Sequence, residues 1–269
     1  MSECAYCGRQ GPFTREHLFP KWLYKRTTHY EQQFLLAKPD RFIDSQLTIR
    51  DVCGKCNHGA LSHLDAYGHK LYDKYFDHFI NRNEVVNFIY DFDLLTRWLL
   101  KLSYNSARVH RSDENELSKY INYIITGCNK PTHLAVVLRL IVPYRLRPED
   151  QKYVPPSLQG LKELPPAFVR IARAEPSPNA SRFSVCRMIG INSYYFYVLL
   201  PKGVDISRQI WRTNLREFES WFPGTERISA AKNKIMLRAS KIDSLEVAER
   251  HLLLHQSLYQ SAMAKTDNK

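Results

Sequence analysis

The apolar positions change their period along this chain. Between residues 60 and 126, Leu61, Leu64, Leu71, Tyr75 and Phe79 recur three to four residues apart, which predicts helix. A second helix is expected over 85–109. There Leu94, Leu95, Trp98, Leu99 and Leu102 form one apolar stripe, with its basic residues on the opposite face. A third is expected over 117–125, stopped by Gly127. Near Pro131 the pattern becomes strand-like. Residues 134–146 and 167–174 read as strands, and 183–189 with 194–200 flank Gly190-Ile191-Asn192-Ser193 as a hairpin. Tyr194, Tyr195, Phe196 and Tyr197 alternate along one of these strands, so half of them should be buried. From Glu226 to about Met263 helix is expected again, carrying Arg227, Lys232, Lys234, Arg238 and Lys241.

The first 65 residues follow neither period. They are turn-rich, with a short strand expected over 46–52 and an extended loop or short helix over 24–45. Pro20 should end any strand running through Leu18 and Phe19. What marks this stretch is its cysteines. Of six in the chain, Cys4 and Cys7 form one C-x2-C pair, and Cys53 and Cys56 form another. That spacing predicts a tetrahedral, structural zinc site, because thiolates suit zinc and each pair places two sulfurs on one side of the ion. The metal would replace an apolar core that so short a segment does not supply. Four thiolates leave no open position for water, so chemistry must come from other residues. Cys128 and Cys186 stand alone in apolar contexts and are expected to be buried.

Composition narrows the classes. At 269 residues, 44% hydrophobic and 25% charged, the chain reads as globular rather than disordered or fibrous. No run of about 18 apolar residues predicts a membrane span. The beginning, MSECAYCGRQG, lacks the apolar core of a signal peptide, so a cytoplasmic location is expected. The net charge of +12 favours a polyanionic partner, with nucleic acid first.

Between the cysteine pairs stand Glu16 and His17, and Asn57 follows the last cysteine. A neutral imidazole can take a proton from water near pH 7. One carboxylate and one amide oxygen suit Mg²⁺ or Mn²⁺, which keep several waters. Adjacent strand residues point to opposite faces, so Glu16 and His17 need an irregular strand to serve one site, and the Pro20 region is expected to supply it. The bland readings are a solvated acid at Glu16, an ordinary histidine at 17 and a helix cap at Asn57. His58 and His63 are expected on the surface. Arg15, Lys21 and Lys55 are candidate phosphate contacts.

Cys4-Ala5-Tyr6-Cys7, Arg15-Glu16-His17-Leu18-Phe19-Pro20 and Val52-Cys53-Gly54-Lys55-Cys56-Asn57 together resemble the HNH endonucleases, also called His-Me finger or ββα-metal nucleases. The resemblance covers residues 1–65. It implies an acid-His pair on a hairpin, a helix opening at the second cysteine pair, His17 as general base, and Glu16 and Asn57 as ligands of one divalent cation. Cys4, Cys7, Cys53 and Cys56 match the zinc-bound subset. Two departures stand out: the acid is Glu rather than the commoner Asp, and no Asn on the second strand braces the His loop. Gln46 is the candidate substitute.

The expected fold is therefore α+β: a zinc-stapled, treble-clef-like ββα finger at 1–65, a helical segment at 66–130 and an α+β part at 131–269 for substrate, partner or homodimer contacts. The expected function is metal-dependent hydrolysis of DNA, in a bacterial defence or mobile-element setting. The alternatives are a non-catalytic zinc finger that binds nucleic acid, and an RNA-cleaving toxin.

Overall fold

A computed structural model describes residues 2–26, 34–36, 41–43, 46–153, 160–166, 169–174, 182–203, 206–239 and 241–247. The fold is α+β. Strand β1 (Phe13–His17) is followed by α1 (Lys21–Arg26) and by a small hairpin of β2 (Phe34–Leu36) and β3 (Arg41–Ile43). Strand β4 (Thr48–Cys53) pairs antiparallel with β1. It runs directly into a helical stretch: α2 (Gly54–Cys56), a π-type turn Asn57–Leu61, α3 (Ser62–Leu71) and a second π turn Tyr72–Phe76. This helical stretch crosses position 65, so the expected domain boundary falls inside α3.

The expected helix over 85–109 is two elements. Val85–Ile89 is a strand, β5, with the alternating exposure of a half-covered ribbon. Helix α4 (Phe92–His110) begins only where the Asp91 side chain accepts the Leu94 amide, at 2.9 Å, and caps the first turn. Helices α5 (Glu114–Ser118) and α6 (Ile121–Thr126) follow, and Gly127, at φ 76°, ends α6 in the left-handed conformation.

Helix α4 is the centre of the molecule. Thr96, Lys101, Ser103, Asn105, Ser106 and Arg108 are buried along it, as well as its leucines. The basic residues therefore do not share a solvated face. Lys101 is 0% exposed, and Arg97 donates to the Ile124 and Ile125 carbonyls. Helix α3 approaches so closely that a Cβ on Gly68 would sit 2.3 Å from the Trp98 indole. Glycine is what that crossing requires.

The remaining strands are β6 (Ala135–Leu140), the short pair β7 (Tyr144–Arg145) and β8 (Glu163–Leu164), β9 (Val169–Ala174), β10 (Ser184–Ile191) and β11 (Tyr194–Pro201). Helix α7 (Arg208–Trp221), β12 (Thr225–Ile228) and β13 (Lys234–Arg238) complete the elements. Helix over 226–263 is thus corrected to strands at 225–228 and 234–238, while residues 244–247 are helical as expected and those from 248 onward lie outside the described residues. The alternating burial of β13, with Ile235 and Leu237 inward, reflects a two-residue period. Sequence patterning also passed over α7, because only Trp211, Asn214, Leu215 and Phe218 of its fourteen residues face inward.

Five strands form one antiparallel sheet in the order β12-β6-β11-β10-β9, and β13 pairs with β5. Both sheet faces are covered. Tyr194 and Phe196 join the core shared with α4, while Tyr195 and Tyr197 pack with Trp211, Leu215 and Phe218 of α7. All four aromatics are consequently buried, not half of them, and none is a surface for stacking bases. Cys186 is buried, but Cys128 is exposed beyond the end of α6. No helix among the described residues is long and apolar enough to cross a membrane.

Candidate metal and nucleophile-activating site

The first cysteine pair sits in a tight turn whose backbone is tied to the strands. The Cys4 amide donates to Arg9, the Gly8 amide to Cys4, and the Ala5 amide to Asp51 of β4. The second pair straddles the end of β4 and the first helical turn. Across β1 and β4 the register, Phe13 opposite Cys53, brings the two pairs together. The four sulfurs lie within 4.8 Å of one another, with Cys7 and Cys53 Sγ 3.7 Å apart. Sulfurs bound to a tetrahedral zinc at about 2.3 Å would be about 3.8 Å apart, so the donor set and its spacing fit such an ion. Burial opposes ionisation of Cys4, but N–H donors from Cys53, Tyr6 and Cys7 prevail and lower it to about 7. Burial pushes Cys56 up, and crowding by neighbouring thiols adds to this. Among the described residues no other group of three or more His, Cys, Asp or Glu side chains gathers in this way.

Beside this cluster the pairing of β1 with β4 is irregular. Thr14 pairs with Val52 and Glu16 with Ile49, so two residues of β4, Arg50 and Asp51, oppose Arg15, and the bulge belongs to β4. The break is not in the Pro20 region, and it does not turn the adjacent Glu16 and His17 to one face: they pair in register with Ile49 and Thr48, Glu16 buried and His17 partly buried. Asn57 does not cap a helix. Its Nδ2 donates across to the strand, to Thr14 Oγ1 at 2.8 Å and to the Arg15 carbonyl at 3.1 Å. The amide thus clamps the helix start to β1. His58 and His63 are both exposed, as are Arg15, Lys21 and Lys55.

Glu16 is buried at 4% exposure. Its Oε1 faces Lys101 Nζ at 2.8 Å and accepts from Asn105 Nδ2 at 3.0 Å. Among the described residues Oε2 makes no hydrogen bond. Lys101 also meets Asp65 Oδ2 at 2.5 Å. Two carboxylates therefore share one ammonium. Burial acts against the charge on Lys101, but the two acids raise its pKa and keep it protonated. Burial pushes the Asp65 carboxyl up, against the pull of the Lys101 ammonium.

His17 is partly buried, with its ring 6.2 Å from that of Tyr24. Burial lowers its pKa below 6.5, against Glu16 and a hydrogen bond to the Gln46 side chain. The imidazole is therefore neutral at pH 7. Gln46, itself exposed, is the side chain that meets the ring. The His17 backbone is braced from outside the hairpin, since Asn105 Nδ2 donates to the His17 carbonyl at 3.0 Å.

Lys101, Asn105 and Asp65 escaped sequence reasoning. A lysine inside Leu99-Leu100-Lys101-Leu102 carried a signal: a helix apolar on both sides of a charge buries that charge with its partners. No protein-family model, no curated protein and no solved structure matches the chain. A surface groove bounded by Ile89, Tyr90, Phe92, Lys130 and Met236 contains none of the candidate site residues.

Proposed function

We propose that the protein is a zinc-stapled HNH-like endonuclease with a treble-clef-like finger, hydrolysing phosphodiester bonds of DNA in the cytoplasm. The observation that carries this reading is a neutral, braced His17 next to a half-engaged Glu16 carboxylate, on a strand that Asn57 clamps to the second cysteine pair. A pure binding finger needs no such arrangement.

In this reading Cys4, Cys7, Cys53 and Cys56 hold zinc, and its role is to join the two cysteine turns. A divalent cation such as Mg²⁺ or Mn²⁺ would be held by Glu16 and Asn57. The fit rests on Oε1 and Nδ2 being fixed by neighbours, so that each side chain keeps an oxygen for a ligand. When bound, the ion supplies positive charge to the phosphate.

His17 takes a proton from water on the ring nitrogen that Gln46 does not engage. The water oxygen forms a bond to phosphorus as the P–O3′ bond breaks, and the departing oxygen is protonated from solvent. The exposed Arg15, Arg50 and Lys55 surround the hairpin and offer charge to the backbone phosphates. One site per chain nicks one strand, and a double-strand break needs dimerisation or two visits.

Plasmid cleavage with Mg²⁺ or Mn²⁺ tests this. His17→Ala should lower the rate by about 10²–10⁴-fold. Equal cleavage by the wild type and the variant would remove the mechanism. Competition between labelled DNA and RNA decides the substrate.

A further inference from the structure

We propose that Asn105 is a positioning residue that couples the four-cysteine turn to the base and the carboxylate of β1. The proposal deepens the nuclease reading and rests on it for its kinetic arm.

The Asn105 side chain is 0% exposed and lies on α4, far in sequence from the hairpin. All its hydrogen-bonding capacity is used. Nδ2 donates to Glu16 Oε1 and to the His17 carbonyl, each at 3.0 Å. Oδ1 accepts from the Tyr6 hydroxyl at 2.7 Å and from Arg108 Nη2 at 2.6 Å. Two donors and two acceptor sites are what an amide offers, so both of its ends are fixed.

Those four partners belong to the parts that must stay in register. Tyr6 lies between Cys4 and Cys7. Arg108 continues to Asp51 of β4 and stacks on the rings of Tyr6 and Tyr104, at 5.2 and 4.9 Å. Glu16 and His17 are the acid and the base. One amide therefore spans from the first cysteine turn to the Glu16 carboxylate and the His17 backbone, through groups of fixed length. A displaced cysteine turn would drag Tyr6, rotate the amide and move the His17 peptide. Asn105 touches the backbone of His17 and one oxygen of Glu16, so it acts through these residues and not on the substrate.

Asn105→Asp keeps size and Oδ1 but removes both Nδ2 bonds, and it sets a carboxylate against Glu16. The expected result is a folded protein with normal zinc content. Its kcat should fall by about 10–100-fold, as for loss of an outer-shell partner, with KM nearly unchanged. Leu102→Ala, on the same helix and outside this network, should lower stability while leaving kcat in place. The proposal is overturned if kcat is unchanged in Asn105→Asp. It is equally overturned if kcat falls in both variants in proportion to the folded fraction.

A readout independent of cleavage is the Leu18 amide resonance, whose peptide contains the His17 carbonyl. Tyr6→Phe removes only the bond on the cysteine side, yet should shift this resonance. In an Asn105→Leu background the same change should have no effect. If the wild type cleaves neither DNA nor RNA, the nuclease reading fails alone, and this cycle still decides the coupling. An equal Leu18 shift in both backgrounds, or none in either, ends it.

Discussion

The hairpin with its cysteine turns and the five-stranded sheet pack against the same helix, α4, by opposite means. The hairpin region is joined by directional groups: four sulfurs, a buried ammonium between two carboxylates, and an amide with four hydrogen bonds. The sheet is joined mainly by shape, with one buried polar tie in which Arg187 of β10 donates to Ser106 Oγ of α4 at 2.8 Å and meets Asp113. Val136, Leu138, Val198 and Phe196 belong to the core that includes α4, while Val137, Tyr195 and Tyr197 belong to the core that includes α7, in strict alternation. Directional bonds fix atoms to within a bond length but fail when one partner is lost, because the other is left buried and unpaired. Packing spreads the same task over many weak contacts, so single losses are graded. Chemistry needs the first kind of precision, and the candidate site lies in the region that has it.

The largest effect expected from this contrast is metal removal. Structural zinc contributes on the order of 10 kcal/mol in small fingers. Cys56→Ser, or chelation of the wild type, should raise hydrogen exchange across β1, β4 and the cysteine turns while β10 and β11 stay protected. Zinc content by colorimetric titration gives the occupancy. Uniform loss of protection, reaching the sheet at the same rate, would show that the two regions do not differ in this way.

Next comes Lys101→Met. It leaves the buried Glu16 and the half-buried Asp65 without their cation, a change that costs about 3–5 kcal/mol. Urea unfolding measures it. The deficit should shrink on acidification, since protonated carboxyls tolerate burial better. Adding Glu16→Gln should recover part of it at pH 7. A variant as stable as wild type would mean that the triad contributes nothing.

The two regions were also legible to different degrees. In the hairpin region the chemistry-bearing residues were readable one by one, since C-x2-C spacing and an acid-His pair are local facts of sequence. Their supports were not. Asn105 and Lys101 reach Glu16 from 89 and 85 positions away, and no local pattern announces such a contact. In the sheet the reverse held. Strands β9, β10 and β11 and the turn at Asn192 were visible from alternation and turn residues. The second covering layer was not, because α7 shows only a narrow apolar stripe. Without α7, Tyr195 and Tyr197 read as outward. The strand β5 was absorbed into the helix beside it for a related reason: its alternating residues run straight into the apolar stripe of α4, and only the Asp91 cap separates them.

At the far end of α4, His110 gives a smaller, pH-dependent test on the sheet side. Burial, and then the positive charge of Arg187, lower its pKa from 6.5 to about 4. The folded state thus binds fewer protons than the unfolded chain over that window. Stability is complete above pH 6.5 and declines as pH falls towards 4. Between pH 7.5 and 5 the loss should be about 2 kcal/mol. His110→Gln should flatten this part of the profile without affecting zinc content. An identical slope in the variant would assign the loss to other groups.

The finest test lies where the two regions meet. Gly68 on α3 faces the indole of Trp98 on α4, and Trp98 has no exposed surface into which it can retreat. A methyl group at 68 must push α3 from α4, which costs about 1–3 kcal/mol as overpacking. The direction of the push matters more than its size. Helix α3 continues the helical stretch that carries Cys56 and Asn57, whereas the sheet packs against α4 from another side. Gly68→Ala should therefore weaken zinc retention and cleavage together, with the aromatic resonances of Tyr195 and Tyr197 unmoved. If those resonances shift and zinc binding does not, strain passes through α4 into the sheet. The hairpin region would then be the better insulated of the two.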